Sequence, residues 1–409
     1  MGKRIKIVLI HTRNIFELDG AGANRWRTMV EGLHQEGVAL HIIFTQGYAS
    51  IREFKKYGWK GSINGISYSY SIFLLQSSLW MRRLSVYVLS PLMKKFNAFR
   101  IRKKIKQDKP DIIWLHPSIE VLNIYLENVA HLKLINYKLM IELNEYNDIG
   151  LENSTNRLQI AISKRYSSLL LYKILPKVDL LLIMTNHLLE YYRQFTNPLK
   201  AQFLHLPMTV DLKRFDVEKK TKERYIAYCG SSSFFKDGVD LMIKSFSMVS
   251  AKYPDVNMKI AAFMEADGFK MLALIQELHL QDRVEYVGEL KRNEIPEFIT
   301  NAGLLLLPRP DSRQAQGGFP TKLGEYLATG NPVCITTVGE IPDYLTDNES
   351  AFMAEPGSIE SFVSALHRAL SNPINAIRVG KNGRKVAEKH FNMEIQAKML
   401  FEFISQHVR

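Results

Sequence analysis

The chain has 409 residues, 46% of them hydrophobic and 23% charged, a length and balance that exclude a single small binding module, a collagen-like repeat and a coiled coil. Lys and Arg number 54 against 41 Asp and Glu, a formal net charge of +13, so part of the surface is positive and suited to phosphates, acidic lipid headgroups or nucleic acid. Only two cysteines occur, Cys229 and Cys334, each in an apolar strand-like run, which rules out a disulfide framework or a zinc cluster and makes a reducing cytoplasm the expected compartment.

The N-terminal stretch MGKRIKIVLIHTRN reads as a first β-strand. Its apolar run is too short for a signal-peptide core or for the ~20 residues of a spanning helix. Further β-branched runs predict strands at residues 39–44, 112–115, 139–143 and 180–184, with helical patterns between them. The segment 168–185 is apolar but broken by Lys173, Pro176, Lys177 and Asp179, so it divides into a helix and a strand and no segment spans a membrane. The rhythm restarts at 225–229 and continues at 257–262, 284–287, 303–307 and 332–336. Alternation of this kind predicts α/β architecture with parallel sheets and crossover helices, here in two tandem units. The junction falls near 206–217, where LPMTVDLKRFDV loses periodicity. The expected domains are therefore residues 1–208 and 209–387, followed by a helix over 388–409 that crosses back to the first.

The most informative stretch is QGGFPTKLGEYLATGNPV, residues 316–333. It opens with glycines, places Pro320 where a helix begins, and closes on Gly330 before a strand. Glycines let backbone approach a ligand, and a helix N-terminus presents N–H groups to an anion, so a phosphate site is predicted. Lys322 and Glu325 stand one turn apart, so a cation and a carboxylate can grip a phosphate and a sugar hydroxyl together. A capped helix carrying a solvent ion pair would show the same spacing. In the stretch YIAYCGSSSFFKDGV, residues 225–239, a strand runs into a Gly/Ser loop with Lys236 at the mouth of a helix, which is where ligands bind in open α/β sheets. Lys236 is either a cation for a leaving phosphate or an ordinary surface lysine.

In the first domain, Gly20, Gly22 and Arg25 precede a helical pattern. They make a poor dinucleotide fingerprint, because Arg25 stands where a third Gly or Ala belongs and no acidic residue ends the second strand. His116 follows the strand 112–115, and Asn144 and Glu145 follow the strand 139–143; each is either structural or placed to bind substrate at a sheet edge. The chain contains no D-x-D triplet, no H-E-x-x-H and no G-x-x-x-x-G-K-[ST], so metal-assisted phosphate chemistry of the usual kinds has no motif behind it.

Taken in order, Gly20 to Gly22, PDIIWLH (110–116), LPMTVDLKRF (206–215), Gly230 with Lys236, DRVEYVG (282–288) and FPTKLGEYLA (319–328) resemble a family-4 retaining glycosyltransferase of glycosyltransferase group 1, in its bacterial surface-polysaccharide branch. The resemblance covers nearly the whole chain. It implies the GT-B fold: two facing Rossmann-like domains with parallel sheets and an interdomain cleft, an acceptor held by the first and a nucleotide-diphosphate sugar, UDP- or GDP-linked, held by the second. No metal and no cofactor is implied, since the nucleotide sugar is a substrate. Carried over, Lys236 meets the donor diphosphate, Glu325 the ribose hydroxyls, and His116 the reacting centre. Gly22, Ser231, Gly288, Glu289, Leu290, Gly318, Phe319, Pro320, Thr321 and Lys322 border the donor, while Arg25, Asn144 and Glu145 serve the acceptor. Three positions depart from the commoner family pattern: Ser231 replaces an arginine, Gly317 replaces the first carboxylate of the E-x7-E pair, and Asn144-Glu145 replaces His-Asp. Arg309, Arg313 or Lys322 is expected to supply the missing positive charge.

Between residues 80 and 109 ten basic residues face one acid, Asp108, interleaved with Trp80, Tyr87, Phe96, Phe99 and aliphatic residues. A basic amphipathic stretch suits an anionic membrane and a polyprenyl-diphosphate-linked or glycan acceptor on the inner face of the cell membrane, and equally a solvated helix face. No recognition-helix, RNP or zinc signature accompanies it, so nucleic acid is not an expected partner. Two other functions share this architecture: a noncatalytic nucleotide-sugar-binding protein, suggested by Gly317 and Ser231, and a nucleotide-sugar epimerase.

Overall fold

The computed structural model describes residues 4–18, 20–48, 50–72, 90–148, 156–220, 225–264 and 267–408, excepting the side chains of residues 21 and 90–94. The chain forms two compact units, one of Met1–Leu18, Met29–Leu206 and Ala397–Arg409, the other of Asp19–Thr28 and Pro207–Gln396. The short segment Asp19–Thr28, expected with the first domain on its position in the chain, clusters with the second unit. The C-terminal helix Met393–Val408 begins in the second unit and ends in the first.

The first unit is built on an eight-stranded sheet of β1 (Lys6–His11), β2 (Ala39–Phe44), β3 (Lys60–Ile63), β4 (Ile66–Tyr70), β5 (Ile112–Leu115), β6 (Lys138–Leu143), β7 (Leu180–Ile183) and β8 (Gln202–His205). Their order is β3-β4-β2-β1-β5-β6-β7-β8. All pairings are parallel except β3 with β4. That hairpin, absent from the sequence reading, turns on Asn64 and Gly65, both at positive φ, the backbone of a two-residue turn matched to strand twist. In β4, Ile66, Tyr68 and Tyr70 are buried while Ser67 and Ser69 are half-exposed, the alternation of a strand covered on one face. The central strands β1, β5 and β7 are buried along nearly their whole length, as both faces of a parallel sheet are covered by crossover helices.

The second unit carries β9 (Tyr225–Ser231), β10 (Asn257–Phe263), β11 (Val284–Gly288), β12 (Leu304–Leu307), β13 (Val333–Thr336) and β14 (Phe352–Ala354). They pair in parallel in the order β11-β10-β9-β12-β13-β14. The reversal of strand order on either side of β9 opens a crevice at its carboxyl end, the usual ligand position in a doubly wound sheet. Beyond β9 the chain makes a single helical turn, Phe234–Asp237, then a left-handed Gly238 (φ +67°), then the helix Val239–Ser250. A Cβ on Gly238 would lie 1.9 Å from the carbonyl oxygen of Pro308. Glycine is required there both by the backbone angle and by the approach of the segment after β12. Gly238→Ala is expected to destabilise the second unit by about 3 kcal/mol, the upper range for overpacking, read as a lowered urea midpoint.

Candidate active site

The carboxyl end of β9 is crowded by one side chain from another element. Lys322, in the first turn of the helix Thr321–Ala328, lays its side chain over Gly230, where an added Cβ would sit 2.2 Å from its Cε and 2.6 Å from its Nζ. Its ammonium bonds Asp237 Oδ1 at 2.7 Å and Tyr228 Oη at 3.3 Å. The other carboxylate oxygen of Asp237 accepts the Ser231 hydroxyl at 2.8 Å. Burial opposes ionisation of Asp237, but Lys322, the Ser231 hydrogen bond and the charge of Arg309 outweigh it and hold the carboxyl at about 2. Lys322 is pulled below the usual lysine range by burial and by the neighbouring Lys236 and Arg309, with Asp237 pulling it back up. Its side chain keeps one-fifth of its exposure (20%), enough to meet an incoming ligand. Lys236 is exposed on the short helix below, its backbone N–H capped by Ser233 Oγ.

The same helix presents Glu325 one turn on, and it turns to different partners. Its carboxylate lies 3.4 Å from Arg214 Nη1 and 3.3 Å from Asn24 Nδ2. Asn24 is held in turn by Arg292 Nε at 2.7 Å, and Arg214 Nη2 donates to the Arg292 carbonyl. Burial pushes the Glu325 carboxyl up, and Arg214, Arg292 and Lys322 pull it down. No side chain caps this helix, which leaves its first turn turned toward any anion at the strand end. The helix is pinned to the sheet by Tyr326, whose hydroxyl accepts the Cys229 N–H at 2.8 Å. The turn before it is anchored by Phe319, packed on Tyr344 and Phe391 at ring-centroid distances of 5.4 and 5.3 Å.

In the first unit the corresponding strand ends carry histidines. His11 closes β1 and His116 follows β5, which pair side by side; their rings meet edge to face, 4.1 Å between centroids. His11 Nδ1 contacts the Arg13 carbonyl at 2.8 Å. Burial lowers both, His11 further through the repulsion of its neighbour, and His116 to about 4.

Residues 210–386, most of the second unit, match the family model described as Glycosyl transferases group 1. The match covers less than half of the chain and lies within the second unit. Among similar proteins, an MMP α-(1→4)-mannosyltransferase of Mycolicibacterium hassiacum is 26% identical over 194 residues, 47% of this chain and 45% of that protein. The matched stretch is thus less than half the length of that relative. Two solved structures share the whole fold: sucrose-phosphate synthase from Thermosynechococcus elongatus (TM-score 0.71, 16% identity, 98% of this chain and 99% of that one) and the Anabaena protein HepE in complex with UDP-glucose (TM-score 0.68, 12% identity, 98% and 100%). The architecture is GT-B, with two α/β units on predominantly parallel sheets, as the motifs imply.

The structure places Ser231 at the end of β9, Lys236 on the helical turn that follows it, and Thr321, Lys322 and Glu325 together on the helix Thr321–Ala328. Pro320 stands at the N-cap position, immediately before that helix begins, and Gly317 closes the preceding helix Arg313–Gly317. Gly318 is extended between the two. Phe319 is enclosed, 5% exposed, and braces the turn through its packing on Tyr344 and Phe391. Gly288, at φ +93°, ends β11, with Glu289 exposed and Leu290 half-buried beyond it. Gly22 lies in the first turn of the helix Ala21–Gln35, with open space around its Cα. Ser231 and Lys322 are linked through Asp237 rather than standing apart. Arg309 is buried at 5% and Arg313 is half-buried at the start of its helix; of the three cations expected to make up for the missing arginine, Lys322 is the one seated over Gly230.

The residues expected at the acceptor differ in exposure. Arg25, expected at the acceptor, is 1% exposed, and its guanidinium donates to the Pro207 carbonyl at 2.6 Å; a side chain so enclosed is held within the second unit and does not reach out. Glu145 is exposed and its backbone carbonyl takes the Tyr192 hydroxyl at 2.8 Å, while Asn144 is half-buried at the end of β6. Asp237, Arg214, Asn24, Arg292 and His11 went unnoticed in the sequence. Asp237 stood next to Lys236 and Arg214 lay within LKRF, but nothing local marks either as a partner of a residue on the helix after β12.

The histidine pair makes stability depend on acidity. An unfolded histidine takes its proton near pH 6.5, whereas native His116 does so only near 4. Between those values the unfolded chain binds more protons, so the contribution is intact above pH 6.5 and is lost as pH falls toward 4. His116→Asn is expected to make the fall of the urea midpoint across that window shallower than in the wild type.

Proposed function

We propose that this protein is a group 1 glycosyltransferase that moves a sugar from a nucleotide-diphosphate sugar, UDP- or GDP-linked, to a glycan or lipid-linked acceptor in surface-polysaccharide synthesis, with retention at the anomeric carbon and without a metal. The observation that carries the reading is the convergence of Lys236, Lys322 and an uncapped helix start on the carboxyl end of β9, with Glu325 one turn further along that helix. A diphosphate seated there would be met by two ammonium groups and backbone N–H donors, and Glu325 would accept from the ribose hydroxyls. As the bond between the anomeric carbon and the diphosphate oxygen breaks, negative charge grows on that oxygen. Fixed cations and helix N–H groups stabilise it without reorganising, a contribution of about 3 kcal/mol per contact. The acceptor hydroxyl forms the new bond on the face the diphosphate leaves, and its proton passes to the departing phosphate oxygen. His116 and Asn144, at the ends of β5 and β6, are assigned to the acceptor side.

Thermal shifts with UDP, GDP, ADP, UDP-glucose and GDP-mannose test the donor. One nucleotide class is expected to raise the melting temperature, since a ligand of the native state stabilises it by mass action. Lys236→Ala should shrink that shift about tenfold in nucleotide affinity, a typical loss for one charge-assisted contact, while leaving the melting temperature of the free protein in place because the side chain is exposed. No shift from any nucleotide would remove the reading.

The acceptor side carries a second proposal, membrane attachment through residues 80–109. Within Ser90–Asp108 the helix buries Ala98, Ile101 and Ile105 and exposes Lys95, Phe96, Phe99, Lys103 and Lys106. Arg100 stacks on Trp59 and Phe96, and Arg102 on Phe99, so cations and exposed rings share one surface. Trp80, Arg82, Arg83 and Tyr87, and the side chain of Lys94, lie outside the described residues. No helix among the described residues is long and apolar enough to cross a membrane. An anionic bilayer fits this face, each basic residue near it contributing about 1 kcal/mol. Lys103→Glu with Lys106→Glu should lower co-sedimentation with phosphatidylglycerol vesicles by at least tenfold, and unchanged sedimentation would exclude the attachment.

A further inference from the structure

The most unusual electrostatic feature of the second unit is a carboxylate inside its anion site. Asp237 is 2% exposed, sits next in sequence to Lys236, and faces the place where a diphosphate would bring more negative charge. An acid in that position repels the ligand unless it serves the cations. Both of its oxygens are engaged: Oδ1 holds the Lys322 ammonium at 2.7 Å and Oδ2 takes the Ser231 hydroxyl at 2.8 Å. From these contacts we infer that Asp237 is a positioning residue for the donor, fixing the Lys322 ammonium over Gly230 at the end of β9. The inference rests on the donor reading above.

Three observations support it. Lys322 has a long stem whose ordering costs rotamer entropy, yet the backbone leaves a slot for it, since any side chain at 230 would collide with its Cε and Nζ. Ser231 gives its hydroxyl to Asp237 while the ammonium arrives from the helix after β12, so Ser231 and Asp237 together build its seat. The seat is also rigid: the Asp237 segment is closed by the left-handed Gly238 against Pro308, and Ser233 and Asp267 cap its N–H groups.

The groups facing Lys322 are Asp237, Tyr228 and Cys229 from the first strand and turn, Lys236 beside them, Arg309 after β12, and Glu325 on its own helix. Burial, Lys236 and Arg309 all disfavour its charge, and Asp237 is the partner that bonds it directly. Asp237→Asn keeps the shape and removes that support, so Lys322 should lose its proton within the alkaline range where the wild type still holds it.

Calorimetric titration of the full chain with UDP and GDP, and with uridine and guanosine, from pH 7 to 9.5 tests this. The wild type is expected to bind one diphosphate with little dependence on pH. Asp237→Asn should bind it about tenfold more weakly at pH 7, and more weakly still with each rise in pH, while affinity for the bare nucleoside is unchanged. Lys322→Met should show the weakened affinity without the pH slope, and adding Asp237→Asn to Lys322→Met should cost nothing further, since the carboxylate then has no ammonium to hold. Wild-type affinity and slope in Asp237→Asn, additive losses in the double variant, or equal loss of nucleoside and diphosphate would each overturn the positioning role. Should Asp237→Asn not fold, Asp237→Glu replaces it, with the expectation that the longer acid retains the flat pH profile at reduced affinity and that a wild-type affinity overturns the inference. A wild type that binds neither diphosphate overturns the donor reading itself, and the inference with it.

Discussion

The hydroxyl of Tyr326 takes the N–H of Cys229, and this one bond fixes the helix Thr321–Ala328 to the end of β9. Both groups are buried or nearly so, where an unmade hydrogen bond would cost more than a made one gains. With the helix pinned in its second turn, Lys322 must project over Gly230 and Glu325 toward Arg214. Behind it, Gly324 faces the Met208 methyl and Phe319 packs into Tyr344 and Phe391. The apolar side of the helix is therefore held by close packing, and its polar side is left to chemistry. An anion site built in this way is preorganised, since the donors are set before any ligand arrives.

Charge is distributed around that helix by burial as much as by sign. Lys322 and Glu325 are neighbours one turn apart, the spacing of an ordinary surface ion pair. In the fold each finds a partner on another element, Lys322 at Asp237 and Glu325 at Arg214. Two separate polar clusters result, one suited to phosphate and one suited to hydroxyl groups. Desolvation acts against the charges of Asp237, Lys322 and Glu325, and each has an opposite charge within ion-pair distance. The first unit follows another solution at the matching strand ends, where burial keeps His11 and His116 uncharged at neutral pH.

Much of the architecture is legible in local pattern. The runs at 39–44 and 112–115 coincide with β2 and β5, and the strands at 180–184, 225–229 and 257–262 agree with β7, β9 and β10 to within two residues. Apolar, β-branched segments flanked by helical periodicity have few alternatives in an α/β chain. What escaped was short or at an edge. β14 has three residues, and β8 is partly exposed and only weakly apolar. The β3–β4 hairpin hid behind alternating serines and tyrosines, although Asn64-Gly65 carried its turn.

For the site, the sequence by itself determined the loop-and-helix pieces: Gly230 to Lys236 after one strand, Phe319 to Glu325 opening a helix, and glycines where backbone must come close. These features depend on a few consecutive residues, so composition and spacing reveal them. Only the tertiary structure decided which charge meets which. Asp237 and Lys322 belong to segments separated by three strands in the chain and brought together because β9 and β12 are neighbours in the sheet. Arg25 looked available beside its glycines, yet the fold encloses it against Pro207. His116 gained His11 because β1 and β5 pair in register. Side-chain partnership is set by strand order and burial, which arise when the whole unit packs, and no local period encodes them.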